Sequence, residues 1–99
     1  MIFHLLFHSM PYITPTARER LDTAIDTLAA LINLDDRAGE LNYSITRLLL
    51  AVQGDARYRD LNELIGALEC AKLELYRRKA APYEDKKIAE NGDLTGFSA

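Results

Sequence analysis

The sequence contains little of what several functional classes require. Its single cysteine, Cys70, excludes an internal disulfide and fits a reducing compartment. No apolar run is long enough to cross a bilayer, so we expect no membrane partner. There is no glycine-rich phosphate loop, no zinc-ligand spacing, no internal repeat and no alternating strand pattern. These absences favour a helical protein without a familiar catalytic motif.

The bulk composition is that of one small globular domain. The chain has 99 residues, of which 48% are hydrophobic and 27% are charged. A chain of this length builds one modest core, and an oligomer would let it bury more apolar surface. The formal net charge of −3 argues against duplex nucleic acid as a partner.

Apolar periodicity predicts an all-α fold. In three stretches, apolar residues recur at three- and four-residue steps, which is the spacing of a helix with one buried face. The three predicted buried stripes are Leu21, Ile25, Leu28 and Ile32; Leu41, Ile45, Leu48, Leu49 and Val52; and Leu61, Leu64, Ile65, Leu68, Ala71 and Leu75. We predict a small bundle of three main helices plus a short C-terminal helix. Gly66, Cys70 and Leu73 lie outside the third stripe, so we expect a homo-oligomer formed through the longest helix.

Capping and breaking residues predict the limits of the first two helices. Thr16 and Glu19 have the spacing of a capping box, which should open the first helix. Residues 35–40 read as a loop because they contain turn formers and a glycine. The second helix should then cover about residues 40–53 and end at Gly54.

The third helix is predicted to be the longest, covering residues 61–81. Asp60 should accept hydrogen bonds from the free amides of its first turn. Pro82 should stop it, because the proline ring clashes with the preceding turn. A short last helix should follow and end at Gly92.

The ends of the chain are predicted to lie outside the folded part. We expect one helical domain at residues 10–94, preceded by an N-terminal extension, residues 1–9, and followed by a flexible tail, residues 95–99. His4 and His8 are four residues apart and would share one face of a helix. Two ligands are too few for a tight metal site, so we expect none there.

Charge is distributed unevenly along the chain. Residues 72–87 carry six basic and three acidic side chains, a net charge of +3. Residues 1–71 carry six basic and ten acidic side chains, a net charge of −4. The basic window, and not the total charge, would therefore meet an anionic ligand.

The basic window has the side chains that recognise phosphate. Arginine makes bidentate contacts to phosphate, lysine supplies point charge, and tyrosine can stack on a base. The predicted ligand-binding residues are Tyr76, Arg77, Arg78, Lys79, Tyr83, Lys86 and Lys87. A structural interpretation stays open beside this one. In it, cations at a helix end complement its dipole and pair with Glu74, Glu84 and Asp85.

A second group of polar residues lies near the start of the second predicted helix. It consists of Asn42, Tyr43, Thr46 and Arg47, which could form the facing wall of the same ligand pocket. The alternative is that these four residues cap the helix and make hydrogen bonds between helices.

Carboxylates for metal-assisted hydrolysis are present only in part. MazG-like all-α nucleotide pyrophosphohydrolases carry an E-x-x-E pair and a later E-x-x-D pair that hold magnesium. Here Glu19, Asp22 and Asp26 form an acidic row, and the first two have E-x-x-D spacing. No E-x-x-E pair accompanies them, and Glu69 and Glu74 are five residues apart. We therefore expect no catalytic residue, no bound metal and no cofactor.

Several segments together resemble a small family of uncharacterised proteins found in tailed phages, prophages and bacteria. They are MPYI, GELNYSITRLLL and IGALECAKLELYRRKAAPYEDKKIAENGDL, spaced as they are here. The resemblance covers roughly residues 10–94. It implies a small protein of the host-cell cytoplasm, encoded by a phage or mobile element, and it implies no activity.

These observations lead to one leading hypothesis and two alternatives. The leading hypothesis is a non-enzymatic binding protein that sequesters a small phosphate-bearing ligand, with an immune signalling cyclic nucleotide as one candidate. The first alternative is a divergent MazG-like pyrophosphohydrolase that uses Glu19, Asp22, Asp26 and Glu69. The second is an interaction module for a host protein, for which the apolar excess on the longest helix would be the contact surface.

Overall fold

A computed structural model describes residues 12–97, and about 81% of them are helical. Helix α1 is Pro15–Leu31, a short 3-10 turn is Leu34–Asp36, and helix α2 is Arg37–Val52. Helix α3 is Tyr58–Leu75, a π-helical segment is Tyr76–Ala80, and helix α4 is Ala81–Asn91. No strand occurs within residues 12–97. The predicted class, an all-α fold with three main helices and a short C-terminal helix, is confirmed and fits a small bundle.

The chain divides into two compact units, Met1–Ala67 and Leu68–Ala99. Residues 1–11 and 98–99 lie outside the described part of the chain, and so do His4 and His8. The predicted domain limits, an extension at 1–9, a domain at 10–94 and a flexible tail at 95–99, therefore stay predictions.

The N-cap of helix α1 lies two residues before the predicted one. The N-cap is Thr14, whose Oγ1 accepts a hydrogen bond from the backbone N–H of Ala17 at 3.3 Å. Pro15 occupies the first helical position, where its fixed φ suits the helix and its missing N–H costs nothing. The prediction that Thr16 and Glu19 cap this helix is wrong, because Thr16 already lies inside the first turn.

The connection between α1 and α2 is shorter than predicted. Residues 37–40 are the first turn of α2 and not a loop. The carboxylate of Glu40 accepts a hydrogen bond from the backbone N–H of Asn33 at 2.8 Å, which ties the connection to the start of α2. Gly54 follows the end of α2 with φ 64°, a conformation that favours glycine, so the predicted stop is confirmed.

Asp60 supports the start of α3 from inside the helix. Its Oδ2 accepts a hydrogen bond from the backbone N–H of Arg57 at 3.1 Å. Arg57 directly precedes the helix, so Asp60 makes the returning bond of a capping box from the third helical position. The prediction that Asp60 caps a helix beginning at Leu61 is therefore wrong by three residues.

Pro82 does not stop the helix. The π-helical segment joins α3 directly to α4, and Pro82 lies in the first turn of α4. The backbone N–H of Ala81 donates to the carbonyl of Tyr76, five residues earlier, as in a π-helical turn. This wider turn shifts the hydrogen-bond register just before Pro82, where a regular α-helix would meet the clash between the proline ring and a carbonyl. The predicted break is replaced by a change of helix type.

The three predicted apolar stripes are not buried by the chain itself. Within residues 12–97 no side chain is fully buried. Ile25 is 58% exposed and Ile65 is 65% exposed. Of the stripe residues, three are half-buried and all the others are exposed. The half-buried ones are Ile32, Leu49 and Leu64. The expectation of a buried core built from these stripes is wrong for the single chain.

Candidate functional site

The predicted ligand-binding residues of the basic window lie on the π-helical segment and α4. All of them are exposed, and we call residues 76–87 the basic segment. Helical geometry brings side chains three and four positions apart next to each other, so acidic residues nearby in sequence are in reach. The structure pairs some of the cations in this way and leaves others unpaired.

Glu74 engages both arginines of the basic segment. Its Oε1 accepts from Arg77 Nη2 at 2.9 Å and lies 3.5 Å from Arg78 Nη1. The Glu74 side chain is only 16% exposed, whereas both guanidinium groups are largely exposed. The arginines are therefore held at one end by a shielded carboxylate, which neutralises part of the charge that a ligand would meet.

Tyr76 and Glu84 link the π-helical segment to α4. The Tyr76 hydroxyl donates a hydrogen bond to Glu84 Oε1 at 2.5 Å. This hydrogen bond raises the pKa of Tyr76 above its usual value, and the negative charges of Glu84 and Asp85 raise it further. The Tyr76 hydroxyl is thus engaged in a contact with Glu84 within the same chain.

Lys87 has two local partners on α4. Its Nζ lies 3.1 Å from Glu90 Oε2 and 5.5 Å from the ring centroid of Tyr83. The second distance is within the range of a cation–π contact. Both contacts are exposed and individually weak, yet they hold the Lys87 side chain close to the helix surface.

Lys79 and Lys86 are the unpaired cations of the basic segment. Within residues 12–97 no ion pair or hydrogen bond engages either ammonium group. The two lysines are seven positions apart, so they lie on one side of the helix and about 10 Å apart along its axis. Tyr83 falls between them at steps of four and three residues, on the same side. We call Lys79, Tyr83 and Lys86 the lysine face.

The second predicted group lies on α2 and forms two local pairs. Thr46 Oγ1 donates to Asn42 Oδ1 at 3.3 Å, and Arg47 Nη1 donates to the Tyr43 hydroxyl at 3.0 Å. The Arg47 guanidinium also lies 5.9 Å from the centroid of the Tyr43 ring. This group belongs to the first unit and the basic segment to the second, so the prediction that they face each other stays a prediction.

The carboxylates of the hydrolase alternative do not form a cluster in the described part of the chain. Glu19, Asp22 and Asp26 are exposed on α1, and Glu69 pairs with Lys72 at 2.9 Å on α3. Among residues 12–97, no group of three or more His, Cys, Asp or Glu side chains is arranged to hold a metal ion. Likewise, none of the helices in this range is both long and apolar enough to span a membrane.

Sequence reasoning identified the cations of the site more readily than their partners. Glu74 and Glu84 were named as possible structural partners, but the sharing of Glu74 by two arginines was not predicted. Glu90 was missed, although it follows Lys87 by three positions, which is the spacing of a helical ion pair. Because these pairs engage the other cations of the basic segment, the candidate site is reduced to the lysine face.

These features define an all-α protein with a cationic, tyrosine-bearing helical segment. The chain belongs to the family described as Domain of unknown function (DUF6899), whose model matches residues 10–94. The matched residues are the same stretch, roughly residues 10–94, over which the sequence segments showed their resemblance. No curated protein and no solved structure matches the chain.

Proposed function

We propose that this protein is a non-enzymatic binding protein for a small phosphate-bearing ligand, which it takes on the lysine face. The observation that carries the proposal is the pair of unpaired ammonium groups of Lys79 and Lys86. The other cations of the basic segment are already engaged by acidic side chains. An incoming phosphate would therefore meet these two charges without displacing an internal partner.

The spacing of the two lysines favours a ligand with more than one phosphate. Lys79 and Lys86 are about 10 Å apart along the helix axis, and a single phosphate group is too small to bridge that distance. Lysine side chains are long and flexible, so both can close on a di- or triphosphate or on the two phosphates of a cyclic dinucleotide. Each ammonium donates charge-assisted hydrogen bonds, worth about 1.5–3 kcal/mol in favourable cases and less when exposed.

Tyr83 gives the lysine face a surface for a base. Its ring is exposed, and Lys87 lies over it at 5.5 Å from the centroid. Stacking of a base on an aromatic side chain contributes about 1–3 kcal/mol. This contact favours nucleotides over inorganic phosphate. Since the resembling proteins come from phages and prophages, cyclic nucleotides of bacterial immune signalling are the first ligands to test.

The test is a calorimetric titration of the full chain with a cyclic dinucleotide, ATP and inorganic phosphate, with and without magnesium. The variant Lys79→Gln/Lys86→Gln should weaken nucleotide binding by about 10-fold or more, because it removes the two unpaired charges. Arg59→Gln/Lys72→Gln is the matched control, since it removes the same charge from exposed positions outside the lysine face. The control should bind as the unchanged chain does.

The outcomes separate the proposal from its alternatives. Equal weakening in both double variants would mean that binding depends on total charge alone and would refute the lysine face as the site. No binding by any of the three probes would refute the function. Nucleotide recovered intact after denaturation supports capture, whereas magnesium-dependent release of pyrophosphate would support the hydrolase alternative.

A further inference from the structure

Within residues 12–67, the helices of the first unit carry apolar stripes that remain partly exposed. They lie on α1, on α2 and on the first half of α3, and their exposed members are Leu21, Ile25, Leu28, Leu41, Ile45, Leu48, Val52, Leu61 and Ile65. Each of these side chains is between 37% and 65% exposed. Scattered exposed leucines are ordinary on a protein surface, but three helices with regular stripes are not.

From these stripes we infer that α1, α2 and the first half of α3 form a self-association surface, and that the occupant is a second copy of this chain. The inference is independent of the lysine face, which lies in the second unit. It names the surface and the partner, neither of which follows from the all-α class alone.

The area of the stripes is sufficient for a stable dimer. A large aliphatic side chain offers on the order of 100 Å² of apolar surface, so the nine stripe residues expose roughly 450 Å² on each copy. Two copies together would bury roughly 900 Å² of apolar surface. Apolar area is about 65% of a homodimer interface, so the complete interface would be about 1,400 Å². That value lies within the range of specific protein–protein interfaces, about 1,200–2,000 Å².

A second copy of the chain is the partner best suited to cover the exposed apolar stripes. The uncovered surface comes from nine large aliphatic side chains of α1, α2 and the first half of α3, so it needs cover whenever the chain is folded. A copy of the same chain is always present when the chain is made, and its stripes have the same composition and spacing. Obligate homodimers commonly lack a stable folded monomer for this reason.

Most of the acidic row of α1 lies on the side of the helix away from its stripe. At about 100° per residue, Glu19 and Asp26 lie about 100° or more from Leu21 and Ile25, whereas Asp22 flanks the stripe at about 60° from Ile25. Carboxylates buried without a partner would oppose association strongly. On α2, Tyr43 and Arg47 likewise lie on the side away from the stripe and pair with each other.

The first test is the concentration dependence of the melting temperature of the full chain, combined with its mass by light scattering. If folding requires association, the melting temperature must rise with chain concentration, and the mass must be a multiple of 11.2 kDa. A folded particle of 11.2 kDa whose melting temperature is the same at all concentrations would overturn the inference.

The second test locates the surface with a matched pair of variants on α1. Ile25→Glu puts a charge in the stripe, and we expect the dissociation constant of the assembly to rise about 30-fold or more. Thr23→Glu adds the same charge to the same helix on the opposite face, and it should leave the mass unchanged. If Ile25→Glu prevents folding, Ile25→Ala should still show weaker association than Thr23→Ala. Equal masses and equal melting temperatures across both pairs would show that the stripe of α1 is not the interface.

Discussion

The basic segment and the helices α1 and α2 satisfy their chemical requirements in different ways. In the basic segment, Glu74, Glu84 and Glu90 engage arginine, tyrosine and lysine side chains that are three to eight positions away in sequence. In α1 and α2, the apolar stripes have regular spacing, but the chain buries none of their members, and Ile25, Leu48 and Val52 are more than half exposed. In the basic segment most charged side chains have a partner within the same chain. In α1 and α2 the apolar stripes lack an opposing apolar surface.

The difference follows from what each kind of interaction needs. A charged side chain can find its partner one or two turns along the same helix, because residues three and four apart are neighbours. An apolar stripe cannot cover itself, since its members all lie on one side of the helix and need an opposing surface. Local sequence can therefore complete the polar pairs, whereas the stripes require another element or another chain.

The largest effect that tests this comparison comes from two leucines of α2. Leu48 and Leu50 are almost equally exposed, at 60% and 55%, but Leu48 belongs to the stripe and Leu50 lies on the opposite side. If the stripe is covered in the assembly, Leu48→Ala should lower the free energy of unfolding by about 2–5 kcal/mol. Leu50→Ala should lower it by no more than about 0.5 kcal/mol. Urea denaturation at one fixed chain concentration measures both.

The same pair can refute the comparison. If Leu48 and Leu50 remain as exposed in solution as in the single chain, both substitutions should lower the free energy of unfolding by small and similar amounts. That result would mean that the stripe of α2 remains exposed to solvent in the folded protein.

An intermediate effect is expected at the carboxylate that two arginines share. Glu74→Gln removes the ion pairs with Arg77 and Arg78, and screening at the exposed guanidinium groups limits the stability loss to about 1 kcal/mol or less. The released arginines should tighten binding of a cyclic dinucleotide about 2–5-fold. Glu69→Gln makes the same change of charge on α3, where Glu69 pairs with Lys72, and serves as the control. If both variants tighten binding equally, the gain reflects total charge and not the release of the arginines.

The smallest effect concerns the ionisation of Tyr76. Its pKa is raised mainly by the hydrogen bond to Glu84, so the folded state holds this proton more tightly than the unfolded state. The resulting stabilisation is complete below the usual tyrosine pKa of about 10 and is lost as the pH rises through the raised value. Tyrosinate absorbance should show one residue that ionises later than the others, and Tyr76→Phe should remove that component. Loss of an ordinary component instead would show that the hydrogen bond is absent in solution.

The sequence predicted the three main helices because each carries a regular apolar period, and it predicted the short C-terminal helix from helix-forming composition and the stop at Gly92. The stop at Gly54 was also predictable, since glycine commonly takes a positive φ after a helix. The start of α1 was placed too late because Thr14 and Thr16 are both acceptable caps, and the choice depends on Pro15 suiting the first helical position. Boundaries of this kind depend on competition between neighbouring residues.

The π-helical segment could not have been predicted from local pattern. Pro82 ordinarily indicates a break, and no residue in YRRKA signals the wider turn that accommodates it. The cations of the candidate site were evident from composition, whereas the identity of the unpaired ones was not. Lys79 has no acidic residue three or four positions away. Lys86 has Glu90 four positions on, but in the structure Glu90 pairs with Lys87 instead.

The central claim is that a second copy of the chain covers the apolar stripes of α1 and α2. Hydrogen–deuterium exchange of the full chain at low and high concentration tests it most directly. If a second copy covers the stripes, amides of α1 and α2 should exchange more slowly as the concentration rises, and those of residues 76–91 should change less. Exchange rates in α1 and α2 that do not depend on concentration, in a chain that stays folded, would contradict the account.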